Sequence, residues 1–264
     1  MGFDISYHPI KEQEIQEWYF DLLQDDSTLE ELSQKHQMDD FYIEKYKDTL
    51  NVAKQTLPTA IFDKTHGYFL AVIQGFFRTF FYTRGSAFSF LMQENPLLKK
   101  YTTPWQEVLT VELPNPIFNE ISENYSSGVY MSAANVVELL ADYQSNDSLK
   151  KELDDFYSHG RINVFIRALT YAKEHNLGLL EATEVIEPNP IDLNESTCYS
   201  NLFNCDTEGA LLYEAAALEQ LKEIETDENL AENEILHNVE YVKTTPEEVV
   251  EKKKKGFWQN LFGK

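Results

Sequence analysis

Histidine and cysteine are the side chains best suited to carry a proton, attack a substrate or ligate a metal near neutral pH. This chain holds histidine at 8, 36, 66, 159, 175 and 237, and cysteine at 198 and 205. A zinc site takes closely spaced His or Cys pairs, and a redox site takes Cys-x-x-Cys. Neither spacing occurs, so the sequence predicts no metal and no cofactor. Gly-x-Ser-x-Gly, the strained turn that presents a hydrolase serine, is missing. A phosphate cradle ends in Gly-Lys-Ser/Thr, whereas the one Gly-Lys pair here is Gly263-Lys264. Residues 142–153 imitate the acids of a calcium loop, but Asp147 stands where the turn requires glycine and Leu153 where a bidentate glutamate belongs.

What remains is a nonlocal arrangement. His66 before Gly67 and His159 before Gly160 fall at expected element ends, where a histidine either caps the backbone or exchanges protons. Arg78 and Arg84 stand out in a base-poor region and suit an anionic ligand or neighbouring carboxylates. An enzyme of unknown reaction built on His66, Arg78 and Arg84 is one reading of these residues. With 45 acids in the chain, chance puts a carboxylate near any histidine, so no acid–base pair can be named. Cys198 and Cys205 are expected as small buried apolar groups, with a redox pair as the alternative.

The other chemistry is interfacial. Thr245-Pro246-Glu247-Glu248 supplies an N-cap, a proline at the first helical position and a glutamate at the third, which predicts a helix start. Lys252, Lys253, Lys254 and Lys255 follow, then Phe257, Trp258, Leu261 and Phe262, whose side chains share an arc of about 140° on a helix. Lysines that attract anionic lipid beside aromatics that sit at the headgroup boundary make this a membrane-surface or partner-binding tail. Gly256 weakens its continuity, and the same aromatics suit a protein groove or the chain's own domain.

Charge separates these parts. Residues 252–264 hold five lysines and no acid, leaving 17 bases against 45 acids in residues 1–251, a net of −28. That body repels nucleic acid and favours a basic protein partner, although solubility alone would also explain it. The start, Met1-Gly2-Phe3-Asp4-Ile5-Ser6, has neither the basic nor the apolar region of an export signal, and two cysteines make no disulfide framework. Cytosol is therefore the expected compartment, with a peripheral position at the inner membrane face as the tail's addition. Residues 68–82 are the most apolar stretch but contain Gln74 and Arg78 and are too short to span a bilayer.

The elements that must position all this follow from periodicity. With 42% hydrophobic and 13% aromatic residues the chain buries a core. A strand is expected at residues 3–7, stopped by His8-Pro9, then a helix over 11–23 carrying Ile15, Trp18, Tyr19 and Leu22. Helical signals continue over 27–57 from a Ser27-x-x-Glu30 capping box. Apolar pairs every four residues, Val72-Ile73, Phe76-Phe77 and Phe80-Phe81, predict one core helix from Tyr68. Strands are expected at 108–113 and 181–187, each leaving through Pro-Asn-Pro-Ile, and at 129–131. Helices are expected after Ser132 and over 149–157, 162–175 and 208–221. From Glu219 to Glu251 there are 11 acids against two lysines. The expected organisation is a helix-rich α+β domain with a small sheet at 1–224, an acidic linker at 225–244 and the tail helix at 245–264. These readings point to a non-enzymatic interaction protein, an immunity or inhibitor protein against a cationic toxin being one form.

Overall fold

In the computed structural model, which describes residues 2–113, 116–231 and 233–237, β1 spans Asp4–Ile10 and continues through His8 and Pro9. The other strands are β2 (Phe80–Arg84), β3 (Ser127–Met131), β4 (Gly178–Thr183), β5 (Ile186–Glu187), β6 (Thr197–Cys198) and β7 (Cys205–Asp206). Five of them form a mixed sheet in the order β3-β4-β1-β2-β7, with β5 and β6 a separate ribbon. β1 is central, antiparallel to both β2 and β4.

Pro9 does not stop β1 because of where its nitrogen points. Pairing with β2 ends at Tyr7, while pairing with β4 runs on to Ile10. A strand residue turns its nitrogen and its carbonyl to the same side. The Pro9 carbonyl accepts from Gln74 Nε2 at 3.0 Å, so the nitrogen faces a side where β2 has already ended and no ladder bond is lost.

The helices cover both faces. After β1 come α1 (Glu12–Ile15), a π-helical turn (Gln16–Phe20) and α2 (Asp21–Gln24). The wider turn sends Trp18, Tyr19 and Phe20 all into the interior. Residues 27–57 form two helices, α3 (Leu29–Lys35) and α4 (Asp40–Lys54), instead of one continuous run. Gln37 is left-handed at φ 53°, and the Asp39 carboxylate caps α4 by accepting from Phe41 N at 2.9 Å. The expected Ser27 box is not made, since Thr28 holds the N-cap of α3 without a side-chain bond.

The core helix α5 (His66–Phe77) buries every residue from Gly67 to Phe76 against one face of the sheet. It ends earlier than its apolar spacing suggests. Arg78 is extended (φ −160°, ψ 173°), and Phe80 and Phe81 belong to β2. A four-residue apolar repeat cannot register that the chain turns back, and the run Phe-Phe-Tyr-Thr suits a strand. Next are α6 (Phe88–Glu94) and α7 (Trp105–Val108). The strand expected at 108–113 is absent: Thr103 already bridges β3 at Tyr130, and Trp105 turns inward to donate from Nε1 to the Gly128 carbonyl at 3.1 Å. Pro114 and Asn115 lie outside the described residues.

On the opposite face, α8 (Ala133–Ser145), α9 (Asp147–Phe156) and α10 (Arg161–Glu174) enclose the larger core. Ser132 caps α8 and Asn146 caps α9, as N-cap chemistry predicts. Val136, Leu139, Phe165 and Leu169 meet Ile5, Tyr7, Val129 and Leu179 from the sheet. The fold is helix-rich α+β with a small mixed sheet. No helix among the described residues is long and apolar enough to cross a membrane.

The chain divides into two compact units, Met1–Ala215 and Ala216–Lys264, within the span of α11 (Glu208–Asp227). In the second unit Glu225 accepts from the backbone of Asn233 at 2.9 Å and of Ile235 at 3.0 Å, which fixes the start of α12 (Glu234–His237). The expected tail helix at 245–264, with Lys252 to Lys255, Phe257, Trp258, Leu261 and Phe262, lies outside the described residues, as do 238–244.

Candidate functional site: a carboxylate and tyrosine cluster at one end of the sheet

β1 begins, β2 ends, β3 begins and β4 ends at the same edge of the molecule, because β1 and β3 run opposite to β2 and β4. Acids and tyrosines gather there. Asp4 Oδ1 accepts from the Tyr82 hydroxyl at 2.6 Å and pairs with Arg84 Nη1 at 2.5 Å. Glu184 follows β4 directly in a left-handed turn at φ 57°, which swings it over the start of β1. Its backbone N–H donates to the Asp4 carbonyl at 2.7 Å, and the Asp4 N–H donates to Glu184 Oε1 at 3.3 Å. Only 6% of Glu184 is exposed. Burial first, and the Asp4 carboxylate second, hold its carboxyl well above the usual range.

β5 then presents Glu187, whose Oε1 accepts from the Tyr125 hydroxyl at 3.2 Å. Tyr125, left-handed at φ 57°, is pinned by its neighbour Ser126, whose N–H donates to Thr183 Oγ1 at 2.9 Å. The Tyr125 ring stands edge-on to Tyr68 at 5.8 Å and to Tyr199 at 5.9 Å, with interplanar angles of 88° and 85°. Tyr125, Glu187 and Tyr199 are half-buried, whereas Tyr68, in the first turn of α5, is 1% exposed. The Tyr68 hydroxyl has no hydrogen-bond partner among the described residues. Burial raises the pKa of all three phenols, and Glu187 adds to the rise in each. The hydroxyls therefore stay protonated. Among the described residues neither Glu184 nor Glu187 has a cationic partner within ion-pair distance.

A second buried acid is sealed in the core. Glu181, 1% exposed and opposite Tyr7 across the sheet, accepts from Phe88 N at 2.5 Å and Ser89 N at 3.3 Å. Burial pushes its carboxyl up to about 7 against the opposing pull of those donors. The Tyr7 and Tyr157 hydroxyls lie 2.7 Å apart, and Tyr7 donates to the Ser86 carbonyl at 3.1 Å.

The residues singled out by sequence lie apart. His66 and Arg78 flank the two ends of α5, about 18 Å from one another along its axis. Gly67 abuts Ser127 of β3, whereas Arg84 belongs to β2, three strand spacings or about 14 Å across the sheet. His66 Nδ1 is hydrogen-bonded to the Tyr19 hydroxyl at 2.6 Å, and burial among Tyr19, Phe20 and Phe62 lowers its pKa to about 4. Arg78 pairs with Glu14 at 2.5 Å and lies 4.7 Å over the Trp18 ring, which itself stacks on Phe77 at 4.1 Å. Arg84 pairs with Asp4 and lies 5.0 Å over Tyr213. Each arginine is thus matched to a carboxylate, the second of the two roles the sequence left open.

His159, exposed at φ 57°, is a turn residue before Gly160. Cys198 and Cys205 are free thiols, and burial pushes Cys198 up to about 11, which leaves it protonated. No cluster of three or more metal-ligating side chains occurs among the described residues. Asp4, Glu184, Glu187, Tyr68, Tyr125 and Tyr199 were not singled out by sequence. One signal for part of the group was present: Glu181, Glu184 and Glu187 interrupt an otherwise apolar run at intervals of three. Comparison with protein-family models, with curated proteins and with solved structures finds no match for this chain.

Proposed function

We propose that this chain is a cytosolic, non-enzymatic interaction protein whose acidic body binds a basic protein partner, as an inhibitor or immunity protein of a cationic toxin would. Its lysine- and aromatic-rich residues 252–264 associate with an anionic membrane surface. The observation that carries the reading is the pair of acids Glu184 and Glu187, which among the described residues have no cationic partner within ion-pair distance, in a body of net charge −28. Such a field steers a cationic protein toward it and repels nucleic acid. The test is affinity capture on the intact chain and on one ending at residue 250, with elution by rising salt. The expected partner carries an excess of lysine and arginine, is held by both forms and elutes early. A neutral or acidic partner, or retention indifferent to salt, rejects the reading.

A further inference from the structure

We propose that a cleft walled by α6, the 3-10 turn that follows it (Pro96–Tyr101) and residues 116–120 binds a small zwitterion with an apolar side chain, a free α-amino acid or a dipeptide. This goes beyond the protein interaction proposed above and rests on different residues. The cleft measures about 400 Å³, within the range of about 300 to 1,000 Å³ that small-ligand sites occupy. Met92, Pro96, Pro104 and Phe118 give it apolar sides, and Phe118 is 53% exposed, an uncommon place for a ring unless something covers it. One cation, Lys99, and one anion, Glu120, line the same cleft. Neither makes an ion pair with the other or with any other described residue. The neighbouring Lys100, by contrast, pairs with both Glu138 and Asp142.

The walls are held in place by the chain itself. The carboxylate of Asp63, 1% exposed, accepts from Phe118 N at 2.9 Å and from Asn119 N at 3.2 Å. Gln106 Nε2 donates to the Ile117 carbonyl at 3.2 Å, and Ile121 anchors the far end of this segment in the core. Across the cleft, Asn95 Oδ1 accepts from Leu97 N at 3.2 Å while its Nδ2 donates to Glu152 at 2.8 Å. Thr102 Oγ1 donates to the Lys99 carbonyl at 2.8 Å, which closes the turn beneath that lysine. A preformed cleft costs a ligand little ordering of the protein. A carboxylate answers Lys99, an ammonium answers Glu120, and a side chain between them covers Met92 and Phe118. A simple anion or cation leaves one of the two charges unanswered, and a polyanion is repelled by Glu120.

The experiment titrates the full chain by calorimetry with L-leucine, L-phenylalanine and the dipeptide Leu-Leu, each beside its N-acetyl and its carboxamide derivative. The natural sequence is compared with Lys99→Met and Glu120→Gln, neither of which removes an ion pair or a core side chain. The natural sequence is expected to bind at least one zwitterion saturably and both of its derivatives about tenfold more weakly, the worth of one charge-assisted contact. Lys99→Met is expected to lose the preference for the zwitterion over the carboxamide while keeping that over the N-acetyl form. Glu120→Gln is expected to show the converse, a crossed pattern that a general loss of folding does not produce. The tighter of the amino acids and the dipeptide identifies the source of the zwitterion. Absence of saturable binding by all three at millimolar concentration, or unchanged preferences in both variants, overturns the site. The acidic-surface reading is unaffected by either result, because affinity capture tests it separately.

Discussion

His8 Nδ1 lies 2.7 Å from Gln74 Oε1, and the tautomer of this buried histidine follows from the amide's other bonds. Gln74 Nε2 donates to the Pro9 and Thr79 carbonyls at 3.0 and 3.3 Å, so Oε1 is the atom that faces His8. Nδ1 therefore carries the proton, and Nε2 accepts from Ser6 Oγ at 2.8 Å.

Burial lowers the His8 pKa to about 3 from 6.5, so the folded chain holds the neutral ring where the unfolded chain binds a proton. This stabilisation is complete above pH 6.5 and is lost as pH falls from 6.5 toward 3, an upper limit of about 5 kcal/mol. Gln74→Leu leaves Nδ1–H unpaired and is expected to cost about 1 to 3 kcal/mol at pH 7. Urea midpoints against pH check both.

Glu181 acts in the opposite direction. Its folded pKa of about 7 lies above the unfolded 4.5, so its contribution is complete below pH 4.5 and is lost as pH rises through 7. Glu181→Gln keeps an acceptor for Phe88 N, and its stability relative to the natural sequence is expected to rise by about 3 kcal/mol between pH 4.5 and 8. Gly128→Ala would place a Cβ 2.3 Å from Glu181 Oε1 and is expected to destabilise by about 1 to 3 kcal/mol, read from the same urea curves.

Arg78 combines the Glu14 ion pair with the Trp18 ring, and both side chains of the pair are less than one-fifth exposed. Arg78→Lys keeps the charge but loses the planar fit and is expected to cost about 0.5 to 1 kcal/mol. A double-mutant cycle with Glu14→Gln is expected to give a coupling of about 1 kcal/mol, and additive losses would deny the pair.

The tail prediction rests on residues 252–264 alone. The intact chain is expected to co-sediment with anionic vesicles at low salt, less so in Trp258→Ala or at high salt, and to ignore neutral vesicles. If it ignores anionic vesicles as well, the anchor reading is rejected, and protection of 245–264 from limited proteolysis then tests docking on the chain itself.

Sequence periodicity captured what is local. The cap Ser132, the interior position of Trp18 and the helices between 133 and 174 follow from side-chain spacing and capping. It erred where tertiary contact outweighs pattern, as at Pro9, excused because the neighbour strand begins only at Phe80 and does not reach it, and at Phe80 and Phe81, which a helical repeat claimed for α5. The site was hidden for a stronger reason. Tyr68, Tyr125, Glu187 and Tyr199 come from four segments that meet only once the sheet forms, and tyrosine is too common an interior residue for any one to stand out.

The central position of β1 sets the order of assembly. Residues 4–10 pair on one side with 80–84 and on the other with 178–183, so the middle of the sheet closes a loop of more than 160 residues. During synthesis at roughly 5 to 20 residues per second, β1 waits about 5 to 20 seconds between the emergence of its two neighbours. Such high contact order makes for slow folding and a long exposure of apolar strand. The many acids of the chain then act against association, since mutual repulsion opposes the pairing of incomplete chains while β4 is still to come.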